Sequence, residues 1–184
     1  EYYKKVAPRR REALEKFRKH AQYKQLVHNG TTWKYYAAGT GDKILFLIPG
    51  GLRNAESIFS ELLRFQEHFR VISPNVPLLQ DADSILDGLH AILDEEKVRT
   101  ATLSGRSFGG SLVQGFAVKY PEKVAKLILC STVYNDASYL QKTEQALKSF
   151  QSMSPGFMRL LIRWALLNII KTDTGQEGKR YWKA

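Results

Sequence analysis

The stretch Ala101-Thr102-Leu103-Ser104-Gly105-Arg106-Ser107-Phe108-Gly109-Gly110 constrains this chain more than any other. It passes from a short apolar strand into Gly-x-Ser-x-Gly-Gly. It then enters Ser111-Leu112-Val113-Gln114-Gly115-Phe116-Ala117, which reads as a helix. That succession fits a nucleophile elbow, a sharp strand-to-helix turn that lifts one serine above the end of a parallel sheet. In such a turn the backbone runs so close to the next helix and the neighbouring strand that a Cβ would collide, which explains the glycines around Ser107. Ser107 would also stand at a helix N-terminus, where unpaired backbone N–H groups favour developing negative charge. The alternative is a glycine-rich β-to-α turn in some other doubly wound sheet.

The segments before the elbow read as alternating strands and helices. Residues 9–22 are helix-like, with Leu14, Phe17 and Ala21 on one face and basic residues between them. Lys24 to Val27 and Thr32 to Tyr36 flank His28-Asn29-Gly30, and Asn-Gly between two β-prone runs signals a hairpin. Ile44-Leu45-Phe46-Leu47-Ile48 is apolar without alternation, which predicts a strand buried on both faces. Asn54 is placed to cap a helix over about 55–68, with Ile58, Leu62 and Phe65 inward. Phe69 to Ile72 reads as a short strand, and Ser73-Pro74-Asn75-Val76-Pro77 as a loop, since its prolines oppose regular structure. Asp81 or Asp83 starts a helix carrying Ile85, Leu89, Ile92 and Leu93 on one face. After the elbow, Pro121 stops the helix, and Leu127-Ile128-Leu129 predicts another strand buried on both faces. Beyond Asp136 only helical patterns follow. Alternating strands and helices imply a parallel sheet, and the helical tail reads as a lid.

With 184 residues the chain suits one domain, and 43% hydrophobic with 25% charged residues excludes a disordered polymer. The net charge of +10 is uneven. Residues 1–25 hold nine Lys or Arg against three Glu, so much of the surplus belongs to the N-terminal segment. Without a recognition motif, that segment is expected to be a solvated basic helix rather than a nucleic-acid site. Cys130 is the sole cysteine, which rules out an intrachain disulfide and suits a reducing, cytoplasmic setting. At the end of an apolar strand it is expected to be a buried thiol. The run 157–170 contains Arg159 and Arg163 and is shorter than the ~20 apolar residues of a membrane span.

Taken together, the hairpin, Pro49-Gly50-Gly51, Gly105-Arg106-Ser107-Phe108-Gly109-Gly110 and Pro121-Glu122-Lys123-Val124-Ala125-Lys126-Leu127-Ile128-Leu129 resemble the α/β-hydrolase superfamily. The resemblance covers residues 24–136, the N-terminal two thirds of such a protein. The Ser-Pro-Asn-Val-Pro segment makes it most similar to maspardin-like proteins and their bacterial hydrolase relatives. It implies an α/β fold with a mostly parallel sheet, about six of the fold's eight strands, helices on both faces and a helical lid. The expected division is a basic helix over 1–23, an incomplete core over 24–136 and a lid over 137–184. By position, Ser107 matches the nucleophile, and the N–H groups of Phe108 and Gly51, with Leu52 as an alternative to Gly51, match the oxyanion hole. The implied activity is an esterase-like serine hydrolysis of a small acyl or ester substrate, without metal or cofactor. A non-catalytic binding or adaptor protein on the same scaffold is the competing expectation.

The family's remaining partners follow the serine in the order acid, then histidine. Here His20, His28, His68 and His90 all precede Ser107. Asp136 follows the strand after the elbow and is the candidate acid, though the family's usual site lies one strand later. No later segment reads as a strand that would cover Leu127-Ile128-Leu129, and uncovered apolar edges invite aggregation. The chain is therefore expected to be a fragment, or to be completed by a second chain.

Overall fold

The computed structural model describes residues 8–79 and 81–133, together with positions 154, 156, 160 and 164. The chain divides into two units, residues 17–135 and residues 1–16 with 136–184. The first unit is an α/β sandwich. Its sheet has six strands in the order β1-β2-β4-β3-β5-β6: β1 Tyr23–His28, β2 Thr31–Ala38, β3 Ile44–Ile48, β4 Arg70–Asn75, β5 Ala101–Arg106 and β6 Val124–Cys130. β1 and β2 form an antiparallel hairpin and β2 joins β4 antiparallel, while β4, β3, β5 and β6 run parallel. Helix α2 (Phe59–Phe65) links β3 to β4, α3 (Ala82–Glu95) links β4 to β5, and α4 (Phe108–Lys119) links β5 to β6. Helix α1 (Pro8–His20) precedes the hairpin.

Local chemistry sets these boundaries. Asn29 and Gly30 have φ of 48° and 73°, the two positive values a type I′ turn needs. Asn54 accepts a 2.9 Å bond from Ser57 N and opens a 3₁₀ turn over Ala55–Ile58 that leads into α2. Asp81 caps α3 in the same way, accepting from Ser84 N at 2.7 Å. Ile85, Leu89, Ile92 and Leu93 are buried together, as their spacing predicts.

The main core lies between α3, α4 and one face of the sheet. Trp33, Phe46, Ile72, Leu89, Ile92, Leu93, Leu103, Val113 and Phe116 are all fully buried there. On the opposite face Phe59 and Leu62 of α2 cover part of the sheet, and Phe17 stacks on Tyr36 with ring centroids 5.3 Å apart. β3 is buried on both faces, as its unbroken apolar run predicts.

Four expectations are corrected. The segment Ser73-Pro74-Asn75 is not loop: β4 continues through it and pairs with Tyr36, Tyr35 and Lys34 of β2. Pairing of β4 with β3 ends at Ile72, so Pro74 sits where the strand is bonded on one side only and a missing N–H is tolerated. The inward residues around α2 are Phe59 and Leu62, whereas Ile58 and Phe65 line an open groove. Leu127, Ile128 and Leu129 are not buried on both faces but 39%, 45% and 44% exposed, because β6 is the edge strand among the described residues. Cys130 is accordingly half-buried and lines the same groove, about 790 Å³ in volume, between α2 and β6. The lid expected over 137–184 falls outside the described residues. Among those residues, no helix is long and apolar enough to cross a membrane.

One buried polar network ties the two antiparallel strands to the parallel sheet. Glu96, 6% exposed, accepts from Tyr35 Oη at 2.8 Å, Lys24 Nζ at 2.8 Å and Arg70 Nη2 at 2.5 Å. Burial alone would push the Glu96 carboxyl up, but the three donors outweigh it and hold it below the ordinary glutamate value. The Tyr35 hydroxyl moves the other way, raised first by burial and then by its bond to the carboxylate. A carboxyl depressed in the folded state contributes stability that is present above its unfolded value and lost as pH falls through its folded value. Glu96→Gln is therefore expected to cost about 2 kcal/mol near neutral pH, the scale of charge-assisted bonds. It should also flatten the loss of stability on acidification below the ordinary glutamate range. Urea unfolding across acidic pH, wild type against variant, measures both.

Candidate active site

The elbow forms where β5 ends and α4 begins, and its geometry is unusual at one residue. Ser107 has φ 52° and ψ −120°, far from the regions a non-glycine residue normally occupies. Such a conformation persists only when its surroundings over-determine it, and here they do. Ser107 N donates to Cys130 O at 3.1 Å, which fastens the turn to the end of β6. Ser107 O accepts from Gly110 N at 2.8 Å, Ser111 N at 3.2 Å and Thr132 Oγ1 at 2.9 Å. Both backbone groups of the serine are thus fixed, and its side chain is exposed.

Among the described residues the hydroxyl has no hydrogen bond of its own, to the helix behind it or elsewhere. A serine at a helix N-cap ordinarily accepts a bond from the second or third helical N–H, yet Ser107 makes no such cap bond with α4.

The glycines are required by close approach. A Cβ on Gly105 would strike the Gly109 carbonyl, and one on Gly109 would strike the Ile48 and Pro49 carbonyls. The start of α4 therefore rests directly on the ends of β3 and β5. The same contact brings the loop after β3 to the serine: a Cβ on Gly50 would stand 3.9 Å from Ser107 Cβ. Within that loop Arg53 N donates to Gly50 O at 2.9 Å, closing a tight turn with Gly51 and Leu52 at its corner.

The structure thus brings Ser107, Phe108 and the Gly50-Gly51 turn together at the carboxyl ends of β3 and β5. It does not bring the histidines there. His90 pairs with Asp94 through Nδ1 at 3.2 Å and stacks on Tyr120, bridging α3 and α4. His28 closes β1, with a buried Nε2 that has no partner among the described residues. His20 ends α1, and His68 lies in the turn after α2, donating its N–H to Phe65 O. Asp136 lies outside the described residues. Among those residues no group of three or more His, Cys, Asp or Glu could hold a metal ion.

Two contributors were not anticipated from the sequence. Thr132 holds the Ser107 carbonyl and faces Gly110 where a Cβ would collide with it. Arg53 donates to Val76 O at 3.2 Å and to Pro77 O, and lies over the Phe108 ring at 4.8 Å. Neither belongs to a motif, and the contacts join residues 22 or more positions apart in the chain for all but the Gly50 turn.

Comparison with known proteins bears on the fold. The family model for the alpha/beta hydrolase fold matches residues 43–176. Maspardin of Danio rerio is 36% identical over 132 residues, covering 68% of this chain and 41% of that protein. Human maspardin is 34% identical over 133 residues, covering 68% and 42%. A 2-hydroxy-6-oxononadienedioate/2-hydroxy-6-oxononatrienedioate hydrolase of Burkholderia vietnamiensis is 31% identical over 125 residues, covering 59% of this chain and 43% of the enzyme. The chain thus spans less than half the length of these curated relatives. Among solved structures, a hydrolase from Pseudomonas aeruginosa aligns over 88% of this chain and 66% of its own, with a TM-score of 0.65 and 20% identity, a likeness of fold. With that match running from β3 through the elbow and β6, the chain belongs to the α/β-hydrolase-fold family.

Proposed function

We propose that the complete protein is a serine hydrolase that cleaves a small ester or acyl substrate through an acyl-enzyme on Ser107. The observation that carries this is the serine's own conformation: exposed, held at positive φ, and with a hydroxyl that does not cap the helix behind it. A base takes the hydroxyl proton, and Oγ attacks the carbonyl carbon. The carbonyl electron pair moves onto oxygen. The N–H of Phe108, in the first turn of α4 where donors lack intrahelical partners, and the N–H of Gly51 hold that oxyanion, with Leu52 as the alternative second donor. Collapse expels the alcohol, which takes the proton back from the base, and water repeats the sequence to free the acid. Loss of one such donor typically costs about 2.7–4 kcal/mol of transition-state stabilisation. The chemistry needs neither metal nor cofactor.

A serine hydroxyl is a weak nucleophile without a base. All four histidines precede the elbow, and His28 and His90 are placed in other parts of the sandwich. The proposal therefore assigns the base, and with it the acid, to a segment or partner chain beyond this sequence, with Asp136 as the alternative acid. The same element would cover the exposed apolar strand β6. The lone cysteine supports a reducing, cytoplasmic setting. A second reading, a binding protein on this scaffold that performs no hydrolysis, is favoured by the placement of those histidines.

Treatment of the complete protein with a fluorophosphonate is expected to give one adduct, located on Ser107 by peptide mass spectrometry and lost in Ser107→Ala. Short p-nitrophenyl esters should be hydrolysed by the same protein. A folded complete protein that forms no adduct would overturn the hydrolase reading. Gly109→Ala should push α4 off the Ile48 and Pro49 carbonyls, costing about 1–3 kcal/mol of stability and about 10²-fold in the rate of adduct formation. Thermal unfolding and labelling time courses measure the two effects.

A further inference from the structure

Resting on that hydrolase reading, we infer that Arg53 is a positioning residue that locks together the two backbone segments forming the oxyanion hole. The first segment is the turn after β3. Arg53 closes it by donating its N–H to Gly50 O at 2.9 Å, with Gly51 at the corner. The second segment is the start of α4. The Arg53 guanidinium carbon lies 4.8 Å from the centre of the Phe108 ring, the side chain of the residue that supplies the other donor. A third segment braces both. Arg53 O accepts from Val76 N at 2.7 Å, while its side chain donates through Nε to Val76 O at 3.2 Å and through Nη2 to Pro77 O.

One residue therefore joins the turn after β3, the start of α4 and the end of β4, and it does so from a backbone conformation of its own that needs support. Arg53 has φ 58°, in the left-handed region that non-glycine residues rarely adopt. Ala55 N donating to Asn75 Oδ1 at 2.9 Å strengthens the same bridge between the two loops. The planar fork of a guanidinium can donate to two carbonyls and stack on an aromatic ring at once, a combination that an ammonium cannot reproduce. The position of the Gly51 N–H relative to the Phe108 N–H thus depends on the guanidinium. The oxyanion forms after substrate has bound, so the effect belongs to the chemical step and not to ground-state binding.

The test uses the complete protein with a fluorophosphonate and a short p-nitrophenyl ester. Active sites are counted by adduct stoichiometry before rates are compared. Arg53→Met keeps an unbranched apolar stem but is shorter and loses both the donors and the group that lies over the Phe108 ring. It should form the Ser107 adduct to full stoichiometry with a rate constant lower by about ten- to a hundredfold, the scale that a slightly misplaced catalytic group costs. Ester kcat should fall in parallel while KM stays unchanged. Arg53→Lys should recover part of the rate and serves alone if the methionine variant does not fold. A purely structural role would lower the labelled fraction and leave the rate constant of the remaining sites at the wild-type value, and that outcome overturns the inference. A folded wild type that forms no adduct overturns the hydrolase reading and the inference with it.

Discussion

The elbow depends on how closely the first turn of α4 may approach the ends of β3 and β5. Two glycines set that distance, since a side chain at 105 would strike the Gly109 carbonyl of the helix and one at 109 would strike the Ile48 and Pro49 carbonyls. Once the backbones touch, the remaining geometry follows. The chain must reverse from strand to helix within a single residue, and that residue takes φ and ψ values that no regular element supplies. The turn after β3 is brought against the serine because β3 lies beside β5 in the sheet, with Ile48 paired to Gly105. Main-chain contact, rather than side-chain packing, thus builds the site.

The sandwich around this contact is unequal. On one face the sheet carries α3 and α4 over a dry aromatic and aliphatic core, and the antiparallel strands are tied in by the Glu96 network. On the other, α2 shields only part of the surface and β6 exposes Ile128, while its Leu127 and Leu129 stand partly exposed on the α4 side. Ser107 sits between these regimes. Its amide is anchored to Cys130 at the end of the edge strand, and its carbonyl to the well-packed helix through Gly110 and Ser111. β6 is therefore tied to the elbow by a backbone bond of the serine itself.

Much of the architecture was legible in the chain because it is written in short-range chemistry. Asn29-Gly30 specifies its turn by requiring positive φ twice, Asn54 and Asp81 declare the starts of their helices, and an unbroken apolar run announces β3. The serine was legible for the same reason, since glycines at fixed offsets record a steric demand. Legibility failed where the outcome depends on distant neighbours. Pro74 continues a strand because β3 has already left its side, a fact about pairing that local propensity does not hold. Leu127-Ile128-Leu129 has the composition of an interior strand yet borders the sheet, since hydrophobicity records what a strand is suited to pack against and not what is beside it. Arg53 carried no signal, because its role comes from Val76, Pro77 and Phe108, residues remote in sequence that only the fold assembles.

The packing of Trp33 has a spectroscopic consequence. Its indole is wholly buried against α3, in space that a side chain at Gly88 would have filled. In such apolar surroundings its fluorescence lies toward the blue and moves to the red once water reaches the ring. Trp164, by contrast, is 67% exposed. The burial of Trp33 is therefore an optical gauge of whether α3 is seated on the sheet.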